Sequence, residues 1–383
     1  MATAAASVPL TKLQAQKQSV WMDFMSRAFV RGGELARLIE DDGLQGATSN
    51  PTIFEKAIGH SADYDDDIRR LVSEGADVDA IYQALVVDDI KAALDLFRPV
   101  FDRSSGLDGY VSLEVSPLLA HDRERTEVEA KQYWALLDRP NAMIKIPGTA
   151  EGIPAIEDAL AAGLNINVTL LFSVEAYEAV ARAYIRALKR RADAGQPIAG
   201  IASVASFFVS RMDTEVDARL DALLAATGDA SRKAHLESLK GKAAIANAKL
   251  AYESFGKIFS GPEWEALAAQ GARVQRLLWA SVGTKDPKYP DTLYIDELIG
   301  PDTVSTMPPD TYNAFRDHGR IVEAPTLTAD LPGAHRVLQQ LQEAGIDLKD
   351  VTDHLLQDGV KKFAKSFDDL LGAVRSKRAQ FAG

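Results

Sequence analysis

The sequence predicts an α/β fold: a closed (β/α)8 TIM barrel with additional helices, including a C-terminal helical region. Three observations point there. Short apolar runs alternate with amphipathic helical segments through the middle of the chain, the pattern of parallel strands covered on both faces. Such runs number eight, four clear by pattern and four weaker. The chain of 383 residues also exceeds by roughly 130 the ~250 that a barrel of this kind needs, and the excess falls in two helix-rich stretches.

In chain order, the first two candidates are weak: SVWMDF (19–24) and LQGATSN (44–50). GYVSLEV (109–115), AMIKIPG (142–148), LNINVTLLFS (164–173) and GIASVASFFVSR (200–211) are the clear ones. RLLWAS (276–281) and DTVSTM (302–307), again weak, complete the set. After AMIKIPG, Ile153, Ile156 and Leu160 recur at helical spacing, and Gly163 ends the segment. After LNINVTLLFS, Ser173 is placed to cap a helix whose apolar face is Val174, Tyr177, Ala181, Tyr184 and Leu188. Residues 213–270 are rich in Ala, Leu, Lys and Glu and read as long helices. The tail, around 328–380, reads as three helices broken by Gly-Ile-Asp (345–347) and Asp-Gly (358–359). No repeat of 20–50 residues is present. The expected organisation is a single domain over 1–383, with a helical insertion around 213–270 and a helical C-terminal extension around 328–380.

Composition excludes several functions. Forty-three basic side chains face 55 acidic ones, a net charge of −12, which argues against a nucleic-acid partner or an anionic membrane surface. A phosphorylated substrate would need a local cationic patch against that field. With no cysteine, disulfides, thiolate nucleophiles and Cys-ligated zinc or iron–sulfur sites are ruled out. The absence fits a reducing, cytoplasmic location. The N-terminal MATAAASVPLTKLQAQKQ lacks the long apolar core of a secretory signal, and no apolar run approaches the ~18 residues of a membrane span. The histidines, at 60, 121, 235, 318, 335 and 354, have no metal-ligand spacing. YDDDIRR (64–70) reads as a solvated helix face, and neither a P-loop nor a dinucleotide-binding glycine pattern appears.

A barrel places its chemistry at the C-terminal ends of the strands. Those ends carry Asp23, Asn50 (followed by Pro51), Glu114, Lys145, Asn167 with Thr169, Ser206 and Ser281. Lys145 stands out because Met143, Ile144 and Ile146 surround it, and lysine is seldom fully buried. Each residue also has a structural reading. Lys145 could pair with Glu114 in a buried salt bridge; Asp23 and Asn50 could cap the following helices; Asn167 and Thr169 could be interior scaffolding. The Asn167-Val-Thr169 glycosylation pattern is set aside as chance in so apolar a setting.

A buried lysine next to carboxyl groups has one distinctive use. Burial disfavours the ammonium form, and the neutral amine attacks ketones to form a Schiff base whose iminium withdraws electrons from the adjacent carbon–carbon bond. Glu114 is placed to protonate the departing carbinolamine oxygen, directly or through water. Asp23 can take a proton from a sugar hydroxyl on another side. Asn50, Asn167 and Ser206 could hold the hydroxyls of a short ketose fragment.

These segments resemble transaldolase, a class I Schiff-base enzyme of the pentose phosphate pathway. The resemblance is carried by WMDF with Asp23, ATSNPTIF with Asn50, VSLEV with Glu114, MIKIPGTAEG with Lys145, GLNINVTLLFS with Asn167 and Thr169, and SFFVSRMD with Ser206, Phe208 and Arg211. The motifs keep the family order over 21–213 and continue less tightly to WASVGTK, which holds Ser281. The closed eight-stranded barrel rests partly on this resemblance. It implies that Lys145 attacks C2 of fructose 6-phosphate or sedoheptulose 7-phosphate and that Asp23 takes the C4 hydroxyl proton as the C3–C4 bond breaks. The dihydroxyacetone unit then passes to erythrose 4-phosphate or glyceraldehyde 3-phosphate. Glu114 would act through a water that Thr169 helps position, Phe208 would contact substrate, and Arg211 would bind phosphate. No metal or organic cofactor is implied, and the partners would be sugar phosphates acted on by a monomer or homodimer. One departure stands out. The better-known pattern has arginine two positions after the serine matching Ser281; here Gly283 stands there, and Lys285, two residues on, is expected to supply the charge. The length resembles bacterial transaldolases with a larger C-terminal region. Two alternatives are open to the same residues. A fructose-6-phosphate aldolase would release free dihydroxyacetone, but resembling enzymes are far shorter and carry Gln at the position of Glu114. A silent sugar-phosphate-binding protein would be expected to have lost Lys145, Glu114 or Asp23.

Overall fold

Eight strands alternate with helices in the computed structural model, which describes residues 9–322 and 324–382; the first eight residues of the Ala-rich N-terminal stretch lie outside them. The strands are β1 Gln18–Asp23, β2 Gly46–Thr48, β3 Tyr110–Glu114, β4 Ala142–Pro147, β5 Ile166–Leu171, β6 Ser203–Phe208, β7 Arg276–Ala280 and β8 Thr303–Met307. They lie parallel in sequence order, and β8 pairs with β1 to close a barrel. All eight expected strands form, the four weak ones included. Closure explains this: every strand is paired on both sides, so even the three-residue β2 is held. Gly46 is needed there, because a Cβ on it would fall 2.6 Å from the Trp21 indole that fills the interior. Toward the N-terminal end of the barrel, Arg276 and Asp108 form a buried ion pair at 3.0 Å, to which Ser19 adds hydrogen bonds.

The helical connections follow local signals. Gly163, at φ 102°, terminates the helix Gly152–Ala162. Ser173 accepts a hydrogen bond from the Ala176 N–H and caps the helix Val174–Asp193, which buries Tyr177, Ala181, Tyr184 and Leu188 while Val174 is half-buried. Four helices, Ser210–Ala226, Ala230–Leu239, Ala243–Ile258 and Pro262–Ala268, fill the long connection from β6 to β7.

The tail departs from expectation. Gly345, at φ 101°, ends the helix Leu331–Ala344, and Asp347 caps the next one. Asp358-Gly359 does not break that second helix, which runs unbroken over Leu348–Phe381. Gly359 lies on its apolar stripe, between Leu355 and Phe363, and faces the barrel; a Cβ there would sit 2.9 Å from Leu170 Cδ2. Glycine costs a helix about 1 kcal/mol relative to alanine. Burial of Val351, Leu355, Phe363, Phe367, Leu370 and Val374 offsets that cost. This last helix packs against the end of β5 and against the helices Pro51–Gly59 and Ser210–Ala226. It is tied down by Arg219 to Asp350 at 2.6 Å, Thr52 to Ser366 at 2.8 Å and Lys377 to Asp65 at 2.6 Å.

The YDDDIRR segment differs from a purely solvated face. It enters the helix Asp65–Ser73, where Asp66 is exposed, but Asp65 holds Lys377 and Asp67 pairs with Arg27 at 2.5 Å. Among the described residues, no helix is long and apolar enough to cross a membrane.

Candidate active site

The strand register sets the site. Glu114 on β3 lies opposite Lys145 on β4, and Lys145 lies opposite Asn167 on β5. Because side chains alternate along each strand, these three project together into the barrel. On the other side, Asp23 at the end of β1 lies opposite Thr48.

Lys145 and Glu114 are each only 4% exposed. The amine Nζ stands 3.0 Å from Glu114 Oε2 and donates to the Ser49 carbonyl at 3.0 Å. The buried ion pair foreseen as the structural alternative is therefore present, and it also puts an acid against the amine. Burial pushes the Glu114 carboxyl above its usual range; Lys145 opposes the shift and Asp23 adds to it. Asp23 is crowded by protein atoms although partly accessible through the cavity, and desolvation pushes its carboxyl up. The charge of Lys145, a 2.7 Å hydrogen bond donated by Thr48, and the charges of Arg211 and Lys285 oppose that rise. These are two carboxyls with raised pKa values flanking one amine.

A cavity of about 580 Å³ opens at this end of the barrel. Nine of the eleven residues singled out in the sequence line it: Asp23, Asn50, Lys145, Thr169, Ser206, Phe208, Arg211, Ser281 and Lys285. Glu114 and Asn167 do not. Asn167 is wholly buried; its amide donates to Ser112 Oγ at 3.0 Å and accepts from Ser206 Oγ at 2.7 Å, so both ends are engaged below the cavity. Asn50 lines the wall and also caps the helix Pro51–Gly59 by accepting from the Ile53 N–H at 3.0 Å. Asp23 is no cap; Ser26 caps the helix that follows it.

Two buried oxygens near the amine lack a hydrogen-bond partner among the described residues: Thr169 Oγ1 and Glu114 Oε1. Thr169 sits at an irregularity in β5 between Val168 and Leu171, where Leu170 takes φ +60°. Bulges of this sort re-aim side chains next to active sites. Ser281 is likewise held at φ +55°, with its hydroxyl 2.9 Å from that of Ser210.

The opposite wall is cationic. Arg211 packs its guanidinium over Phe208, 5.2 Å from the ring centroid, and its buried Nη1 has no partner among the described residues. Desolvation pulls the Arg211 guanidinium down, and burial with the Arg211 charge pulls the Lys285 amine down. Among the described residues, Arg211, Lys285 and Lys56 form no ion pair with a carboxylate. Three unpaired cations around one cavity, in a chain of net charge −12, make a seat for an anion. Gly283 presents no charge, and a Cβ there would stand 2.9 Å from Thr311 Oγ1.

Among the cavity residues that sequence reasoning did not name as site residues are Thr48, Lys56 and Phe363. Thr48, which holds Asp23, occupied the weakest strand. Lys56 follows Ile53 and precedes Ala57 on one helix face, a signal available from spacing once Asn50 is taken as the cap. Phe363 comes from the last helix, and nothing local marks it.

The sequence profile described as transaldolase/fructose-6-phosphate aldolase matches residues 20–374. The chain belongs to that family. A protein of Nostoc sp. named transaldolase 2 is 48% identical over 371 residues, covering 96% of this chain and 97% of its own. The transaldolase of Parafrankia sp. is 50% identical over 371 residues, covering 97% and 98%. That of Acidothermus cellulolyticus is 49% identical over 366 residues, covering 96% of each. The transaldolase/fructose-6-phosphate aldolase match runs from β1 into the last helix, so the segment carrying Phe363 lies within it.

Proposed function

We propose that this chain is a transaldolase that moves a dihydroxyacetone unit between sugar phosphates through a Schiff base on Lys145. The observation that carries the reading is a buried lysine amine in the wall of a polar cavity, 3.0 Å from Glu114, with Asp23 in the same cavity wall. The amine adds to C2 of a ketose phosphate. Glu114, whose raised pKa favours the protonated form, supplies the proton with which water leaves the carbinolamine, through a water that Thr169 helps hold. Asp23 takes the C4 hydroxyl proton, the C3–C4 bond breaks, and its electrons pass into the iminium to give an enamine. The aldose phosphate departs. The enamine carbon then attacks the aldehyde of a second aldose phosphate, Asp23 returns the proton, and water releases the new ketose phosphate. The iminium is the electron sink, so these steps call on no metal or organic cofactor. Asn50, Ser206 and Phe208 contact the bound sugar, while Asn167 holds Ser206 in place. The cysteine-free sequence suits a reducing cytoplasm.

The relatives named transaldolase and the glutamate at 114 favour transfer over simple aldol cleavage. The deciding experiment incubates the protein with fructose 6-phosphate, reduces with borohydride and locates the mass adduct. The expected result is a dihydroxyacetone adduct on Lys145; an adduct confined to another residue refutes the reading.

Arg211, Ser281 and Lys285 are proposed to bind the substrate phosphate. Lys285→Ala is expected to raise KM for sugar phosphates about tenfold with a smaller change in kcat, the size of one charge-assisted hydrogen bond. An unchanged KM removes Lys285 from the phosphate site.

A further inference from the structure

We propose that Phe363, carried across the barrel mouth by the last helix, shields the enamine carbon of the covalent intermediate from bulk water and so commits it to transfer rather than release. The proposal rests on the transaldolase reading above.

Phe363 is 4% exposed and lines the same cavity as Lys145. Its ring centroid lies 5.7 Å from Lys145 Nζ and 5.9 Å from Arg211 Cζ, so one aromatic face covers both cations. The ring is fixed from both sides along the helix. One turn earlier, Gly359 lets the backbone come within reach of Leu170 and Arg211; a Cβ there would be 2.9 Å from Leu170 Cδ2 and 3.6 Å from the guanidinium. Three residues later, Ser366 accepts the hydrogen bond of Thr52, itself a cavity residue. The helix is clamped further out at Asp350 and Lys377. A phenyl ring has no proton to give or take, yet it holds the position directly above the nucleophile.

The reaction has one point where that matters. After the first aldose phosphate leaves, the retained unit is an enamine. If its nucleophilic carbon takes a proton from water, it becomes the iminium of dihydroxyacetone. Water then adds at C2, the carbon–nitrogen bond breaks, and free dihydroxyacetone and the lysine amine result, with the acceptor unused. An apolar cover over the amine keeps water from the enamine carbon until the acceptor aldehyde fills the cavity. The ring face also favours the cationic iminium over neutral forms once the bond to the acceptor has formed.

The test measures free dihydroxyacetone released per unit transferred, with fructose 6-phosphate as donor and erythrose 4-phosphate as acceptor, for the unaltered chain, Phe363→Leu and Phe363→Ala. The ratio is expected to rise in the order Phe, Leu, Ala, reaching about tenfold for Ala. Borohydride trapping on Lys145 is run on the same proteins. If the variants trap normally and the ratio stays at the unaltered value, Phe363 does not guard the intermediate. If Phe363→Ala fails to fold, Phe363→Leu alone decides, because it keeps an apolar side chain on the stripe. Failure of the unaltered chain to trap on Lys145 refutes the underlying transaldolase reading and is thereby distinguished from failure of the Phe363 proposal.

Discussion

Lys145→Met is expected to lower kcat/KM for sugar transfer by roughly 10⁴-fold or more, since without the amine no covalent intermediate forms. Methionine keeps the unbranched shape, so the surrounding Ile144 and Ile146 stay packed. The change leaves Glu114 buried without its cation. Burial already pushes that carboxyl up, and removing Lys145 takes away the main opposing influence, so the acid is expected to take up a proton and the fold to persist. Steady-state kinetics with fructose 6-phosphate and erythrose 4-phosphate, with a thermal melt as control, check this. A folded variant that keeps a tenth of the activity would exclude Schiff-base chemistry at this position.

The second large effect is expected at Asp23. Asp23→Asn removes the base and should cost about 10² to 10⁴ in kcat, the usual range for general acid–base catalysis. Borohydride should still trap a Schiff base on Lys145, but as the uncleaved hexose phosphate rather than the dihydroxyacetone unit, because imine formation precedes cleavage. The pH dependence carries a sign. Desolvation raises the Asp23 pKa in the folded chain, so the folded state holds this proton more tightly than the unfolded state. Its contribution to stability is therefore present below the ordinary aspartate value of about 3.9 and is lost as pH rises through the folded value. Asparagine has no charge to desolvate, so Asp23→Asn is expected to melt higher than the unaltered chain at neutral pH while being nearly inactive. Paired melts at pH 4 and pH 8 check the sign: the variant's advantage should grow with pH. In the unaltered chain, the acid limb of kcat/KM should fall above the ordinary aspartate range, since the base must be deprotonated.

Much of the site was legible because barrel chemistry gathers at strand ends. Polar residues there interrupt otherwise apolar runs, as Lys145 does between Ile144 and Ile146. Asn50 was legible twice, as cap and as wall, and the structure uses it as both. Asn167 was harder: period two places it inward, but only the coordinates show its amide spent on Ser112 and Ser206. Glycine misled at 359. A glycine after aspartate looks like a stop signal, yet this one lies on the apolar stripe where the helix meets Leu170, and close approach is what its missing side chain allows.

The residue order alone supplies the chemical groups: a lysine and carboxyls near strand ends, no thiol, and the alternation of strand and helix that orders a parallel barrel. Which groups meet is settled by packing. Thr52 and Ser366 touch across 314 residues of chain, and Phe363, on the same helix as Ser366, comes up to Lys145 on β4, because an apolar stripe specifies that a face will be buried but not which surface will cover it. The cationic wall of the cavity and the place of the Phe363 ring beside the amine are properties of that packing.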